Sequence, residues 1–124
     1  MSDEQGKKTV VLGASPNPAR YAHMAVQRLV EHGVEAVPVG IREGEIAGLP
    51  IQLGQPDIAD VHTISLYIGQ RNFDSWIDYT LSLNPKRIII NPGAENPSFE
   101  KAAMEQGVEV LHACTLVMLG TGTY

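Results

Sequence analysis

The apolar positions of the chain form two kinds of segment that alternate along its length. Short continuous apolar runs bounded by turn residues predict buried strands at 9–12, 35–39, 62–68, 87–90 and 108–112, with a weaker strand at 49–53. Apolar stripes at helical spacing predict helices near 21–30, 73–81 and 97–106. A further apolar stretch at 116–119 is predicted to pack as a last strand or a turn of helix.

This alternation of strands and helices predicts the fold class. Continuous apolar strands separated by helices are typical of a parallel sheet that is covered on both faces. We therefore expect an α/β fold with a doubly wound, mostly parallel sheet in a single three-layer domain over residues 8–124, preceded by a flexible tail at 1–7. A ligand of such a sheet lies beyond the carboxyl ends of the strands, at the switch point. The loops expected there are 13–20, 40–44, 67–71 and 91–96.

The charge and composition of the chain argue against two classes of binding partner, nucleic acids and membranes. The chain has 124 residues and a formal net charge of −5, with nine lysines and arginines scattered along it, so we expect no nucleic-acid binding. No apolar run approaches the roughly 20 residues that span a bilayer, so we expect no membrane segment. The N-terminus shows no secretion signal, and the single Cys114 cannot form an internal disulfide. These features predict a cytoplasmic, reducing location.

The loop after the first strand is a candidate phosphate site. It reads Gly-Ala-Ser-Pro-Asn-Pro over residues 13–18 and leads directly into the first helix. Unpaired amides at a helix start, together with the helix dipole, suit a phosphate group. The loop is not the dinucleotide fingerprint, because Ser15 and Pro18 stand where that motif needs glycine. A rigid turn that binds nothing stays open as the alternative.

The loop after the second strand bears on which nucleotide such a site would take. A site for NAD usually has an acidic residue at the end of this strand, to bind the ribose hydroxyls. Here the strand ends in Val39 and Gly40, and Arg42 follows. An arginine at this point suits a phosphate on the adenosine ribose, either the 2′-phosphate of NADP or the 3′-phosphate of coenzyme A. A solvated surface arginine is the alternative.

Candidates for catalytic or metal chemistry are few. His23 lies off the apolar stripe of the first helix, so we expect it to point to solvent. His112 and Cys114 could pair as base and nucleophile, but a strand-end histidine and a small buried cysteine are the favoured interpretation. Trp76 is expected in the core and Tyr67 at the ligand cleft. No histidine, cysteine or acidic spacing matches a metal site.

Four segments together resemble a known family. They are 11–18 (Val-Leu-Gly-Ala-Ser-Pro-Asn-Pro), 37–39 (Val-Pro-Val), 48–51 (Gly-Leu-Pro-Ile) and 91–94 (Asn-Pro-Gly-Ala). They resemble the small stand-alone CoA-binding domain proteins, which are similar to the nucleotide-binding domain of the succinyl-CoA synthetase α subunit. The resemblance covers about residues 8–114 and implies a Rossmann-like fold that binds coenzyme A.

The family pattern also implies which residues contact the ligand. Gly13, Ala14, Ser15 and Asn17 would face the phosphates, with Arg20 as an extra ligand, and Val39 and Arg42 would lie at the adenosine end. Tyr67, Ile68, Asn91, Pro92 and Gly93 would line the pantetheine path. The chain departs from the family pattern in two loops. After the second strand, many relatives have Asn-Pro-Lys, whereas this chain has Gly40-Ile41-Arg42. After the fourth strand, the synthetase has a proline-rich segment, whereas this chain has Tyr67-Ile68-Gly69.

The sequence therefore predicts a protein that binds coenzyme A or an acyl-CoA and is not an enzyme by itself. The phosphorylated histidine of the synthetase belongs to a second domain for which this chain has no room, so the ligase activity is not carried over. An NADP-dependent reductase and a structural or interaction protein without ligand are the alternatives. A homodimer or a protein partner stays open, with 116–119 as a candidate contact surface.

Overall fold

A computed structural model describes residues 6–124 of the chain. The strands in it are β1 (Thr9–Leu12), β2 (Ala36–Gly40), β3 (Glu45–Ile46), β4 (Leu49–Pro50), β5 (Gln52–Leu53), β6 (Thr63–Leu66), β7 (Arg87–Ile90) and β8 (Glu109–His112). Six of them form one sheet in the order β5-β2-β1-β6-β7-β8, and each neighbouring pair is parallel. The chain winds outward from β1 in one direction and then returns to β6 to wind in the other. The predicted doubly wound α/β fold is confirmed, and it is Rossmann-like.

Helices cover both faces of this sheet. They are α1 (Tyr21–Glu31), α2 (Ile77–Ser82), α3 (Pro97–Glu105) and α4 (Thr115–Thr121), with two short 3₁₀ turns at Gln70–Asn72 and Asp74–Trp76. The second predicted helix is shorter than its apolar stripe over 73–81, because the 3₁₀ turn at Asp74–Trp76 occupies the first part of that range. The apolar stretch at 116–119 lies inside α4, so of its two predicted forms the helical one is correct.

The apolar side chains of the central strands divide between two cores. Val10, Leu12 and Ile64 pack on one face with Phe73 and Phe99 from the segments that follow β6 and β7. On the other face lie Val11 and Ile89, which alternate with these residues along the strands, together with residues of α1 and α4: Ala22, Val26, Leu29, Met118 and Leu119. Because both faces are covered, β1, β2, β6 and β7 are buried at every position, which is why their apolar residues appear as nearly continuous runs in the sequence.

The weak strand predicted at 49–53 is wrong as a single element. Leu49–Pro50 pairs antiparallel with β3 in a separate hairpin, whereas Gln52–Leu53 extends the main sheet beside β2. Ile51 lies between the two pieces, is 6% exposed, and donates its amide to the main-chain oxygen of Gly44 at 2.9 Å. The division arises because Ile51 is buried against the loop that follows β2, and this turns the chain between one sheet and the other.

The amino ends of the strands are closed by contacts from Tyr124. The guanidinium of Arg87 lies over the Tyr124 ring at 4.4 Å and donates to the Tyr124 main-chain oxygen at 2.9 Å. Lys7 donates to the same oxygen at 2.7 Å, so this residue of the predicted tail is held against the domain. The first five residues of that predicted tail lie outside the described residues.

Candidate functional site

One cleft of about 640 Å³ opens at the carboxyl edge of the sheet. It crosses the exits of β2, β1, β6 and β7, and it therefore includes the point between β1 and β6 where the winding direction reverses. Ligands of open α/β sheets bind at this point. The position of the cleft agrees with the edge that the sequence predicts for the ligand.

Two glycines allow the loops of the cleft to approach one another. Gly13 has a φ of +99°, and a Cβ there would stand 3.0 Å from the Tyr67 carbonyl carbon, so the exit of β1 packs directly on the exit of β6. A Cβ on Gly40 would overlap the carbonyl oxygen of Ala14. The end of β2 therefore lies against the first loop with no space for a side chain. A side chain at Gly13 would press on the exit of β6, and one at Gly40 would press on the first loop, so either substitution requires the floor of the cleft to shift.

The start of α1 is left open at this cleft. The residue at its N-cap position, Arg20, makes no capping hydrogen bond through its side chain, and the first turn holds no acidic residue. The first amides of a helix have no partner inside the helix and carry the positive end of its dipole. By contrast, α3 is closed by Asn96, whose side chain accepts from the Phe99 amide, and by Glu100 in its first turn. Of these two helix starts, only that of α1 suits an anion.

Two arginines line the same cleft as this open helix start. Arg20 and Arg42 both line the cleft and are exposed, and within residues 6–124 neither forms an ion pair or a side-chain hydrogen bond. None of the described residues that line the cleft is aspartate or glutamate. A chain with a formal net charge of −5 thus has a locally positive cleft. The distribution of charge favours an anionic ligand at this place.

The amides of the first loop are mostly engaged inside the protein. Gly13 and Ala14 both donate to the Val39 carbonyl oxygen, at 3.0 and 2.9 Å. The Asn17 amide donates to Ser15 Oγ at 3.1 Å, and the Ala19 amide donates to Asn17 Oδ1 at 3.0 Å. Within residues 6–124 the Ser15 amide makes no hydrogen bond, so free amide donors for a phosphate come from Ser15 and from the first turn of α1, while the amides of Gly13, Ala14 and Asn17 fix the loop.

His23 is placed differently from its prediction. It is 6% exposed, and its Nδ1 donates to the main-chain oxygen of Ser15 at 2.8 Å. The expectation that His23 points to solvent is wrong, because the loop folds back over the first turn of α1 and covers this side of the helix. The histidine ties the loop to the helix at the place where the anion would bind.

The residues nominated as ligand contacts divide into two groups. Those that line the cleft are Gly13, Ala14, Ser15, Arg20, Arg42, Tyr67, Ile68, Pro92 and Gly93. Asn17, Val39 and Asn91 do not line it. Val39 is fully buried in the sheet, Asn17 is exposed with its side chain turned back to the Ala19 amide, and Asn91 is 1% exposed. Ligand contacts for Asn17, Val39 and Asn91 stay a prediction, and these three residues lie outside the lining of the cleft.

Asn91 instead organises a buried polar cluster below the cleft. Its Nδ2 donates to Ser65 Oγ and to the Leu66 carbonyl oxygen, both at 3.0 Å, and its Oδ1 accepts from the Thr115 amide at 2.9 Å. The hydroxyls of Ser65 and Thr115 are 2.7 Å apart. The cluster connects the exits of β6 and β7 to the start of α4, and so holds the Pro92-Gly93 turn in position.

The Tyr67 ring lines the cleft while its hydroxyl is buried beneath it. Burial raises the pKa of the Tyr67 hydroxyl to about 12, although the Ser65 and Thr115 hydroxyls beside it act in the opposite direction. The phenol is therefore neutral at physiological pH. It contributes an aromatic surface to the cleft and no charge.

Several cleft residues were not nominated by the sequence. Trp76 is half-buried rather than wholly in the core, with its ring 5.6 Å from that of Tyr79 in an edge-to-face arrangement, and one side of it lines the cleft. Tyr21, Ile41, Asn72 and Ser75 line it as well. Tyr21 and Ile41 are 70% and 73% exposed, and each directly follows or precedes a nominated arginine. That adjacency was the signal available in the sequence for these two residues.

The residues considered for catalysis lie apart from the lining of the cleft. His112 pairs with Glu100 through Nε2 and Oε1 at 2.6 Å, and Glu100 is 7% exposed. His112 is thus engaged by a carboxylate of α3, and neither it nor Cys114 lines the cleft. Within the described part of the chain, no group of three histidine, cysteine or acidic residues could hold a metal ion.

Taken together, the sheet, its switch point and the positive cleft define an α/β nucleotide-binding domain. The chain belongs to the CoA binding domain family, whose profile matches residues 7–120. A comparison with curated proteins finds no match. No helix within residues 6–124 has the length and apolar character needed to cross a membrane.

Solved structures share the fold over almost the whole chain. The crystal structure of an uncharacterized protein is 48% identical, with 95% of this chain and 98% of that chain covered and a TM-score of 0.92. A Thermus thermophilus protein is 25% identical, with 95% and 90% covered and a TM-score of 0.82. A dinucleotide forming acetyl-coenzyme A synthetase of Candidatus Korarchaeum cryptofilum is 20% identical over 85% of this chain and 25% of its own, with a TM-score of 0.63. The last of these shows likeness of fold alone.

Proposed function

We propose that the cleft binds coenzyme A or an acyl-CoA, and that the chain does so without catalysing a reaction of its own. The observation that carries the proposal is that two unpaired arginines line one cleft, Arg20 at the uncapped start of α1 and Arg42 after the end of β2. The membership in the CoA binding domain family supports the choice of this anion over others.

We propose a place in the cleft for each part of the ligand. The open amides of α1 and Arg20 suit the pyrophosphate, since a helix start and a guanidinium both favour phosphate oxygens. Arg42, beyond the end of β2, suits the 3′-phosphate of the ribose. The pantetheine arm then runs along the exits of β6 and β7, past Tyr67 and Gly93.

The lining supports binding rather than turnover. None of the described cleft residues is a histidine, cysteine, lysine or carboxylate, so no side chain there can act as a general base near neutral pH. Ser15 Oγ accepts a hydrogen bond from the Asn17 amide, and Ser75 Oγ donates to the Asn72 main-chain oxygen at 3.1 Å. Neither hydroxyl has a base beside it to activate it as a nucleophile.

The test is a ligand panel on the full chain, with coenzyme A, dephospho-CoA, NADP and NAD. We expect coenzyme A to raise the unfolding temperature and to change the fluorescence of Trp76, which is the single tryptophan and lines the cleft. At 100 times its Kd a ligand adds about 2.7 kcal/mol to the free energy of unfolding. Stabilisation by NADP without a response to coenzyme A would instead support a reductase. No response to any of the four would support a protein without a nucleotide ligand.

The absence of turnover is tested separately. We expect no free thiol to be released when the protein is incubated with acetyl-CoA in excess over several hours, compared with the same thioester in buffer. Thiol release above the buffer rate that scales with protein concentration would contradict the second half of the proposal.

A further inference from the structure

We infer that the end of the cleft remote from the arginines receives an uncharged acyl group, so that the ligand is a thioester of a short monocarboxylic acid and not of a dicarboxylic one. The inference rests on the proposed binding of coenzyme A and names the class of acyl group. It follows from how charge and apolar surface are distributed along the cleft.

The order of the strands gives the cleft two ends. Its lining follows the exits of β2, β1, β6 and β7, which are successive neighbours in the sheet. With neighbouring strands about 4.8 Å apart, the two outer exits stand about 14 Å from each other. Arg42 follows β2, and Arg20 precedes α1, which packs on β1 and β2. Arg20 and Arg42 therefore both lie at the end of the cleft that is formed by the exits of β1 and β2.

The opposite end is apolar and fixed in shape. Ile68 and Ala94 are 7% and 2% exposed and form part of its wall. Trp76 is held by its edge-to-face contact with Tyr79 and by the core beneath it. A wall that is already packed loses little freedom when it covers a ligand, so methylene groups placed here gain affinity by burial.

This end offers no partner for a second carboxylate. The remaining groups there are the neutral side chains of Asn72 and Ser75. Arg71 belongs to the same 3₁₀ turn as Asn72, but it is exposed and does not line the cleft. A carboxylate brought to this end would lose water without gaining a charged partner, and that weakens binding.

The experiment is calorimetric titration of the full chain with coenzyme A, acetyl-CoA, propionyl-CoA, butyryl-CoA and succinyl-CoA. We expect the Kd to fall up to about fourfold with each added methylene from acetyl-CoA to butyryl-CoA. Succinyl-CoA has the same four-carbon length as butyryl-CoA and ends in a carboxylate, so we expect it to bind at least tenfold more weakly than butyryl-CoA.

If the acyl group lies at this end of the cleft, a cation added there should reduce the preference for butyryl-CoA over succinyl-CoA. Asn72 is exposed and its side chain makes no hydrogen bond within residues 6–124, so Asn72→Lys adds a cation at this end without disturbing the fold. We expect it to lower the ratio of the Kd of succinyl-CoA to the Kd of coenzyme A by about tenfold relative to the wild type. Gln70→Lys is the matched control, since it adds the same charge to the same turn outside the lining of the cleft.

The outcomes separate the two proposals. If coenzyme A binds but all thioesters bind equally, or succinyl-CoA binds as tightly as butyryl-CoA, the inference about the acyl group is wrong and the binding of coenzyme A stands. The same holds if Gln70→Lys acts as strongly as Asn72→Lys. If neither coenzyme A nor any thioester binds, the proposed function itself fails, and the inference fails with it.

Discussion

The Nδ1 of His23 donates a hydrogen bond to the main-chain oxygen of Ser15 at 2.8 Å. Because a carbonyl oxygen only accepts, this nitrogen carries the proton. His23 lies in the first turn of α1, and Ser15 lies in the loop before it. The bond therefore fixes the loop against the helix start that the anion would approach.

We predict that His23→Leu weakens both the fold and the binding of coenzyme A, whereas His23→Asn largely preserves both. Loss of the hydrogen bond should lower the free energy of unfolding by about 0.5–1.5 kcal/mol in the leucine variant, measured by urea denaturation. Asparagine also has a nitrogen at the δ position and can keep the bond. Equal weakening of coenzyme A binding in the two variants would show that the imidazole acts in some other way.

Arg42 gives a prediction about selectivity. Arg42→Ala should remove the preference for coenzyme A over dephospho-CoA, because the guanidinium is assigned to the 3′-phosphate that distinguishes them. A single charged hydrogen bond of about 1.5–3 kcal/mol corresponds to a change of tenfold or more in the ratio of the two Kd values. Calorimetry with both ligands measures that ratio. Arg71→Ala, an exposed arginine outside the lining, should leave it unchanged. An unaltered ratio in Arg42→Ala would remove this residue from the site.

Gly40 gives a prediction about the floor of the cleft. Gly40→Ala places a Cβ against the Ala14 carbonyl oxygen, so the first loop must move. We expect a loss of about 1–3 kcal/mol in the free energy of unfolding, as for other overpacked sites, together with weaker binding of coenzyme A.

Gly120→Ala is the control, because a Cβ there meets nothing within 4 Å and lies inside α4. It should stabilise the protein slightly. Similar stability changes in the two variants would contradict the close approach of β2 to the loop.

His62 gives a prediction about pH. Burial, and then the positive charges of Arg87, Lys7 and Lys86, lower the pKa of His62 below its ordinary value of 6.5. Since the unfolded chain then binds a proton more readily than the folded one, the contribution of this group to stability is complete above pH 6.5 and is lost as the pH falls below it. We expect the wild type to lose more stability between pH 8 and pH 5 than His62→Gln does. The two losses are measured by urea denaturation, and equal losses would contradict a lowered pKa.

Much of the fold could be predicted because the apolar patterns of single segments agree with the way those segments pack in the sheet. The central strands are covered on both faces, so they appear as continuous apolar runs, and parallel pairing follows from the helices between them. Asparagine is a favoured N-cap residue and proline a favoured first residue of a helix, so Asn96 and Pro97 predict the start of α3. The structure confirms this cap. The exits of these strands then had to meet at one edge, which is where the cleft lies.

The errors share one cause, which is that the sequence does not show which segments lie over one another. His23 was placed in solvent because its own helix offers it no apolar neighbours, but the preceding loop covers it. The family resemblance assigned Asn91 to the pantetheine path, and only the structure shows that Ser65 and Thr115, far away in the chain, hold its side chain in the interior. The strand at 49–53 was divided by the burial of Ile51 against the loop after β2.

The sequence by itself determined the order of strands and helices, the edge of the sheet that would hold a ligand, and the basic residues available there. These follow from periodicity, turn chemistry and charge, which act over a few neighbouring residues. Only the tertiary structure decided that the start of α1 is open, that Arg20 and Arg42 lie at one end of the cleft, and that the other end is apolar. These depend on contacts between residues far apart in the chain, and such contacts arise only when the sheet is assembled.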